Sequence, residues 1–298
     1  MAILRAGYGL DPNGFIISDV SIDNIDNVYV PCIRESVESL RNSFQHQLHS
    51  VYLYGSVARG EAVILKSDLD LIAMFDGNLS SFKLADLKEI AGELSQKYRS
   101  LVREVNIAIA YYDYTVSPLN YYENAFLKEL CVCIYGEDLG VRFGPYKLTP
   151  EIAIRFNGDI CVALTRTLNK LETASDEDFI IFSQGFARKL IRTYYSMVMA
   201  RSQIWSTRLH EQSEVFIHHF PDKESIIRTL LNWIDEPPTD RKTVYELFKN
   251  EGEWASVNFT REANTSKFST PLFCTTFDTS SLLIIKFDNP ATTRCVFF

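Results

Sequence analysis

Asp68 and Asp70 stand two residues apart at the head of an apolar run, "SDLDLIAMF", residues 67–75. On a strand this spacing puts both carboxylates on one face, about 6.5 to 7 Å apart, with Leu69 and Leu71 on the other. Two like charges so close repel unless a cation neutralises them or one keeps its proton. Oxygen donors on a rigid strand suit Mg²⁺, which completes its octahedron with water and substrate phosphates. Ahead of them, Gly55 and Ser56 end the run "VYLY" and open the short segment "SVARGEA". Backbone N–H groups at such a turn, with the Ser56 hydroxyl, suit phosphate oxygens, and glycine permits close approach. A Gly-Ser turn alone, or Asp-x-Asp alone, is common. Joined as G-S-x-x-R-G-(x)₆-S-D-x-D-L between two apolar strands, they form a specific pattern for gripping one metal–triphosphate.

Positioning that pattern requires strands on both sides of it. "PCIRESVESLRNSFQHQL", residues 31–48, carries Ile33, Val37, Leu40, Phe44 and Leu48 at helical spacing and leads into a strand at 51–54. After the strand at 68–75, Leu84, Leu87, Ile90 and Leu94 again mark a helix, and "REVNIAIAYY" alternates as a strand over about 103–111. "NYYENAFLKEL" and "CVCIYG" add a helix–strand pair. The fold class expected is α+β: a small mixed sheet covered by helices, followed by a helical bundle. The domains expected are an α/β unit at 1–147 (motif core 31–135), a helical domain at 148–258 and a tail at 259–298 of no assigned role. Thr149, Pro150 and Glu151 suit the N-terminus of the first bundle helix. Helices are predicted near 150–173, 176–203, 207–220, 222–235 and 239–251, and in the tail only 282–287 reads as a strand.

Composition narrows the function. A net charge of −8 disfavours a broad nucleic-acid groove without excluding a small basic pocket for a triphosphate. The six cysteines lack CxxC spacing and read as structural thiols in a reducing compartment. "MAILRAGYGLDPNG" lacks the marks of a signal peptide, and no apolar run reaches membrane-spanning length, so a cytoplasmic protein is expected.

The string "GSVARGEA…SDLDL" resembles the motif of nucleotidyltransferases of the DNA polymerase beta superfamily, specifically over about residues 48–110. The resemblance implies transfer of a nucleoside monophosphate from a triphosphate to an acceptor hydroxyl, with two Mg²⁺ ions, ATP as donor and pyrophosphate released. Carried over by position, Gly55 and Ser56 bind triphosphate, Arg59 assists it or simply pairs with Glu61, and Asp68 and Asp70 hold metal. A third carboxylate belongs on a neighbouring strand. Glu104 and Asn106 share a face there, and only Glu104 can act as a base. Many family members carry aspartate where Asn106 stands. The adenylyltransferases that modify streptomycin and spectinomycin have a similar "EV" followed by an apolar strand, with that glutamate as base, so Glu104 is the expected catalytic base and third metal ligand. They too follow the catalytic unit with a helical bundle, which implies that residues 148–258 bind the acceptor.

Lys189 borders the apolar stripe of "FARKLIRTYYSMV"; it reaches phosphates or merely lays its stem along apolar surface. The run Tyr111-Tyr112-Asp113-Tyr114 offers rings for stacking on a base or for packing. The function expected is an adenylyltransferase-like enzyme acting on a small hydroxyl-bearing molecule such as an aminoglycoside, with no membrane or nucleic-acid partner. The alternatives are the same chemistry on a protein or tRNA acceptor, and a nucleotide-binding module without turnover.

Overall fold

The computed structural model describes residues 4–265 and, as backbone, the strands at 285–287 and 293–295. It separates into two compact units: residues 18–144 with those two strands, and residues 4–17 with 145–265.

The first unit is built on a mixed sheet. In chain order it contains α1 (Val30–Phe44), β1 (Leu48–Tyr54), α2 (Gly55–Arg59), β2 (Leu69–Phe75), α3 (Ser81–Lys97), β3 (Val105–Tyr111), α4 (Tyr112–Val116), α5 (Asn124–Leu130) and β4 (Cys131–Gly136). With β5 (Ile285–Phe287) and β6 (Thr293–Cys295) the strand order is β4-β1-β2-β3-β5-β6. β1 runs antiparallel to both β2 and β4, while β2 and β3 are parallel, with Asp70 opposite Asn106. Alternation gives the sheet two unlike faces. Val51, Leu53, Leu69, Leu71, Ala73, Val105, Ile107 and Ile109 pack with Leu40 and Phe44 of α1 and Leu87 and Leu94 of α3 into one buried core. Tyr54, Asp70 and Asn106 belong to the opposite face, where Phe126 of α5 meets the Tyr54 ring edge-on at 5.5 Å.

The second unit is helical: α6 (Pro150–Asn157), α7 (Ile160–Thr173), α8 (Asp176–Ser202), α9 (Leu209–His219), α10 (Glu224–Asp235) and α11 (Arg241–Ala263). Three departures from the sequence expectation have physical causes. The helix expected over 150–173 breaks at Gly158–Asp159 into α6 and α7. The last helix runs to Ala263 rather than stopping near 251, because Phe259 and Ala263 are buried and Gly252 serves packing, not termination. A Cβ at Gly252 would lie 2.5 Å from Leu164 of α7. Residues 4–17 belong to this unit instead of the sheet: Gly7 N–H bonds the Gln203 carbonyl (2.7 Å), Trp205 N–H that of Tyr8 (2.9 Å), and Ile16 N–H that of Tyr146 (2.8 Å). Of the strand expected at 282–287, residues 285–287 form β5, and 282–284 lie outside the described residues. No helix among the described residues is long and apolar enough to cross a membrane.

Candidate active site

The chain turns sharply where β1 ends. Gly55 adopts φ 78°, a left-handed conformation that favours glycine, and a Cβ there would lie 2.7 Å from Asp70 Oδ2. The Asp70 carboxylate therefore lies against the Gly55 Cα: the turn and the carboxylate that the sequence pattern joins are in contact. Helix α2 makes barely more than one turn and ends at Gly60, φ 71°, whose N–H reaches back to the Ser56 and Val57 carbonyls. Arg59 is held by Glu61 (Nε to Oε2, 3.0 Å), the simpler of the two roles open to it.

Asp68 directly precedes β2, and Glu104 directly precedes β3. The ladder continues past both strand ends, with Leu69 N–H on the Glu104 carbonyl (2.9 Å) and Arg103 N–H on the Ser67 carbonyl (3.0 Å). Parallel register thus sets Glu104 alongside Asp68 and Asn106 alongside Asp70, and parity puts all four on the face away from α1 and α3. Asn106 is 2% exposed, and its Nδ2 donates to Asp70 Oδ1 at 3.1 Å.

The residue the sequence did not single out is Arg103. Its guanidinium forks onto Asp68, Nε to Oδ1 at 2.9 Å and Nη2 to Oδ2 at 2.5 Å. Burial works against the Arg103 charge, but the Asp68 hydrogen bonds and the charges of Asp68, Glu104 and Asp70 outweigh it and raise its pKa. The only sequence signal was a basic residue beside the "EV" that opens β3.

Among the described residues, no three His, Cys, Asp or Glu side chains are grouped closely enough to cage a metal. The expected Asp68–Asp70–Glu104 cage is therefore not preformed, since Arg103 takes both oxygens of Asp68 and Asn106 takes Oδ1 of Asp70. Mg²⁺ does not require a full cage; one or two carboxylates with water and phosphate oxygens suffice, and the hard oxygens of Asp68 and Asp70 fit it.

Two other candidates have partners in the structure. Lys189 lies in the helical unit with its ammonium bonded to Asp159 Oδ1 (2.5 Å) and Asn157 Oδ1 (3.1 Å); both ion-pair side chains are only 13% exposed. Burial lowers its pKa, the charge and hydrogen bond of Asp159 oppose this, and nearby Arg192 and Arg166 add to the lowering. The Tyr111–Tyr114 run begins at the far end of β3, about 17 Å along the strand from Asn106. Tyr112 packs there on His49, with ring centroids 4.8 Å apart.

Residues 33–127, which hold every one of these sheet-unit groups, match the family model of the nucleotidyltransferase domain. The match makes this unit a nucleotidyltransferase domain and the protein an enzyme of that class. Among solved structures the chain is similar to spectinomycin adenyltransferase AAD(9) from Enterococcus faecialis, determined with ATP and spectinomycin. The identity is 12%, the TM-score 0.47, and the match covers 76% of this chain and 98% of that one. A search of curated proteins found no match.

Proposed function

We propose that the protein transfers a nucleoside monophosphate, AMP from ATP, to a hydroxyl of a small molecule such as an aminoglycoside, in a metal-dependent reaction. The observation that supports this is the seating of Asp70 Oδ2 against Gly55, which sets the turn read as holding phosphate beside a carboxylate read as holding metal. In this reading the Gly55–Ser56 turn holds phosphate oxygens, while Asp68 and Asp70 hold Mg²⁺. The metal, two ions in the family resembled, would neutralise triphosphate charge and acidify the acceptor hydroxyl. Glu104, beside Asp68 in register, accepts the hydroxyl proton as the new O–P bond forms at the α-phosphorus and the bond to pyrophosphate breaks. Asn106 fixes the Asp70 rotamer through its amide. Positioning and charge stabilisation supply the rate.

ATP as donor rests on the motif resemblance. A small acceptor is supported by the net charge of −8, which disfavours tRNA, and by the helical unit that follows the catalytic one. Lys189, already matched by Asp159, is given no phosphate to hold. The test is incubation with Mg²⁺ and α-phosphate-labelled ATP, with an aminoglycoside panel and, separately, total cell extract. Label on a small product, absent with Asp70→Asn, is the expected result. Label on protein or tRNA would move the acceptor to a macromolecule, and no label on anything would remove the proposal.

A further inference from the structure

We propose that Arg103 is a resident counter-cation of the active site, which a divalent metal must displace from Asp68 before the site is competent. The proposal rests on the reading of Asp68 as a metal ligand. Its basis is geometric: the fork bonds both carboxylate oxygens, Oδ1 at 2.9 Å and Oδ2 at 2.5 Å. A metal bound through Asp68 would take a lone pair on one of those oxygens beside a guanidinium of like charge, so the two cations compete for the same carboxylate.

The surroundings make the exchange feasible. Asp68 is well covered, with its side chain 15% exposed, but the Arg103 side chain is 49% exposed. The guanidinium can swing toward solvent, while the carboxylate is fixed at the head of β2. Arg103 is anchored by its backbone, whose N–H bonds the Ser67 carbonyl, so it stays poised when the side chain leaves. Glu104 and Asp70 add negative charge around it, so one cation must be present in either state. Free metal competes poorly against a tethered arginine. A metal arriving on a triphosphate brings phosphate oxygens that complete its own shell and offer the released guanidinium an anionic partner. Arg103 thereby favours entry of metal and nucleotide together over metal alone.

The test is nucleotide-free Mn²⁺ binding, read by electron paramagnetic resonance, on wild type, Arg103→Gln, Arg103→Lys, Asp68→Asn and the Asp68→Asn/Arg103→Gln double variant, with melting curves to verify folding. An ion pair whose arginine is half in water is worth up to about 1 kcal/mol, so Arg103→Gln should bind Mn²⁺ up to about fivefold tighter than wild type. Arg103→Lys, a tethered cation without the fork, should fall between them. Both proteins carrying Asp68→Asn should bind weakly and alike. Unchanged or weaker binding by Arg103→Gln, with Asp68→Asn still impaired, overturns the competition while sparing the metal site. Binding that ignores Asp68→Asn overturns both.

Discussion

Two ion pairs, one in each unit, bring a basic side chain onto an aspartate at 2.5 Å, yet they are opposites. Lys189–Asp159 is closed: both side chains are 13% exposed, and Asn157 takes a further lysine proton. Arg103–Asp68 is open, with the arginine half in water and two more carboxylates, Glu104 and Asp70, acting on it. The closed pair is covered by protein, with Arg192 and Arg166 also acting on the lysine. The open one lies at a strand end with a half-exposed arginine, beside a turn suited to phosphate. A cation alone does not mark a site; several carboxylates converging on an accessible one is the stronger sign.

The largest effect should come from the open region. Asp70→Asn should lower nucleotidyl transfer by about a thousandfold or more, while leaving the melting temperature unchanged or raised by relief of repulsion. A variant that unfolds instead would make Asp70 a structural residue and erase the contrast. In the closed region the burden shifts to stability. Lys189→Met leaves Asp159 covered and uncompensated, and should cost about 3–5 kcal/mol in chemical denaturation. Should that variant be stable but defective in ATP binding, Lys189 would belong to the phosphates after all.

Glu129 sharpens the comparison with a third arrangement, a buried carboxyl in the sheet unit that is 3% exposed and, among the described residues, takes part in no ion pair. Burial raises its pKa to about 7, against a partial opposing pull from Lys128. Because the folded value exceeds the unfolded one, the folded protein binds this proton more tightly. The resulting stability is complete below the unfolded value near 4.5 and is lost as pH rises through about 7. Glu129→Gln should therefore match wild type at pH 4 and exceed it by roughly 3 kcal/mol at pH 8 in urea titrations. Equal stabilities across that range would mean the carboxyl finds a partner when ionised.

Smaller again is Gly55→Ala, at about 1–2 kcal/mol for the left-handed backbone, with a loss of activity beyond that because the new Cβ meets Asp70. Intact activity would uncouple the turn from the carboxylate.

The pattern of what the sequence disclosed follows chain distance. Gly55, Ser56, Asp68 and Asp70 were legible as a unit because they lie within sixteen residues between two strands, so local spacing dictates their shared face. Arg103 was silent because its meaning depends on β3 lying parallel to β2, a pairing across 35 residues. The role of Asn106 as donor to Asp70 emerged only from the same register. In the helical unit, periodicity located the helices but not the end of the last one, expected near 251, because Gly252 packs against Leu164 inside a helix that runs to Ala263. The place of residues 4–17 depends on bonds to residues 146, 203 and 205, which no local pattern foretells.

The central claim is that the carboxylates at the head of β2 drive metal-dependent cleavage of a nucleoside triphosphate onto an acceptor. Pyrophosphate release from ATP, measured with an acceptor mixture of aminoglycosides and cell extract, addresses it most directly. Wild type should release pyrophosphate only with both Mg²⁺ and acceptor present, and Asp70→Asn should release none above background. Release that persists in Asp70→Asn, or that is indifferent to chelation of the metal, would contradict the account.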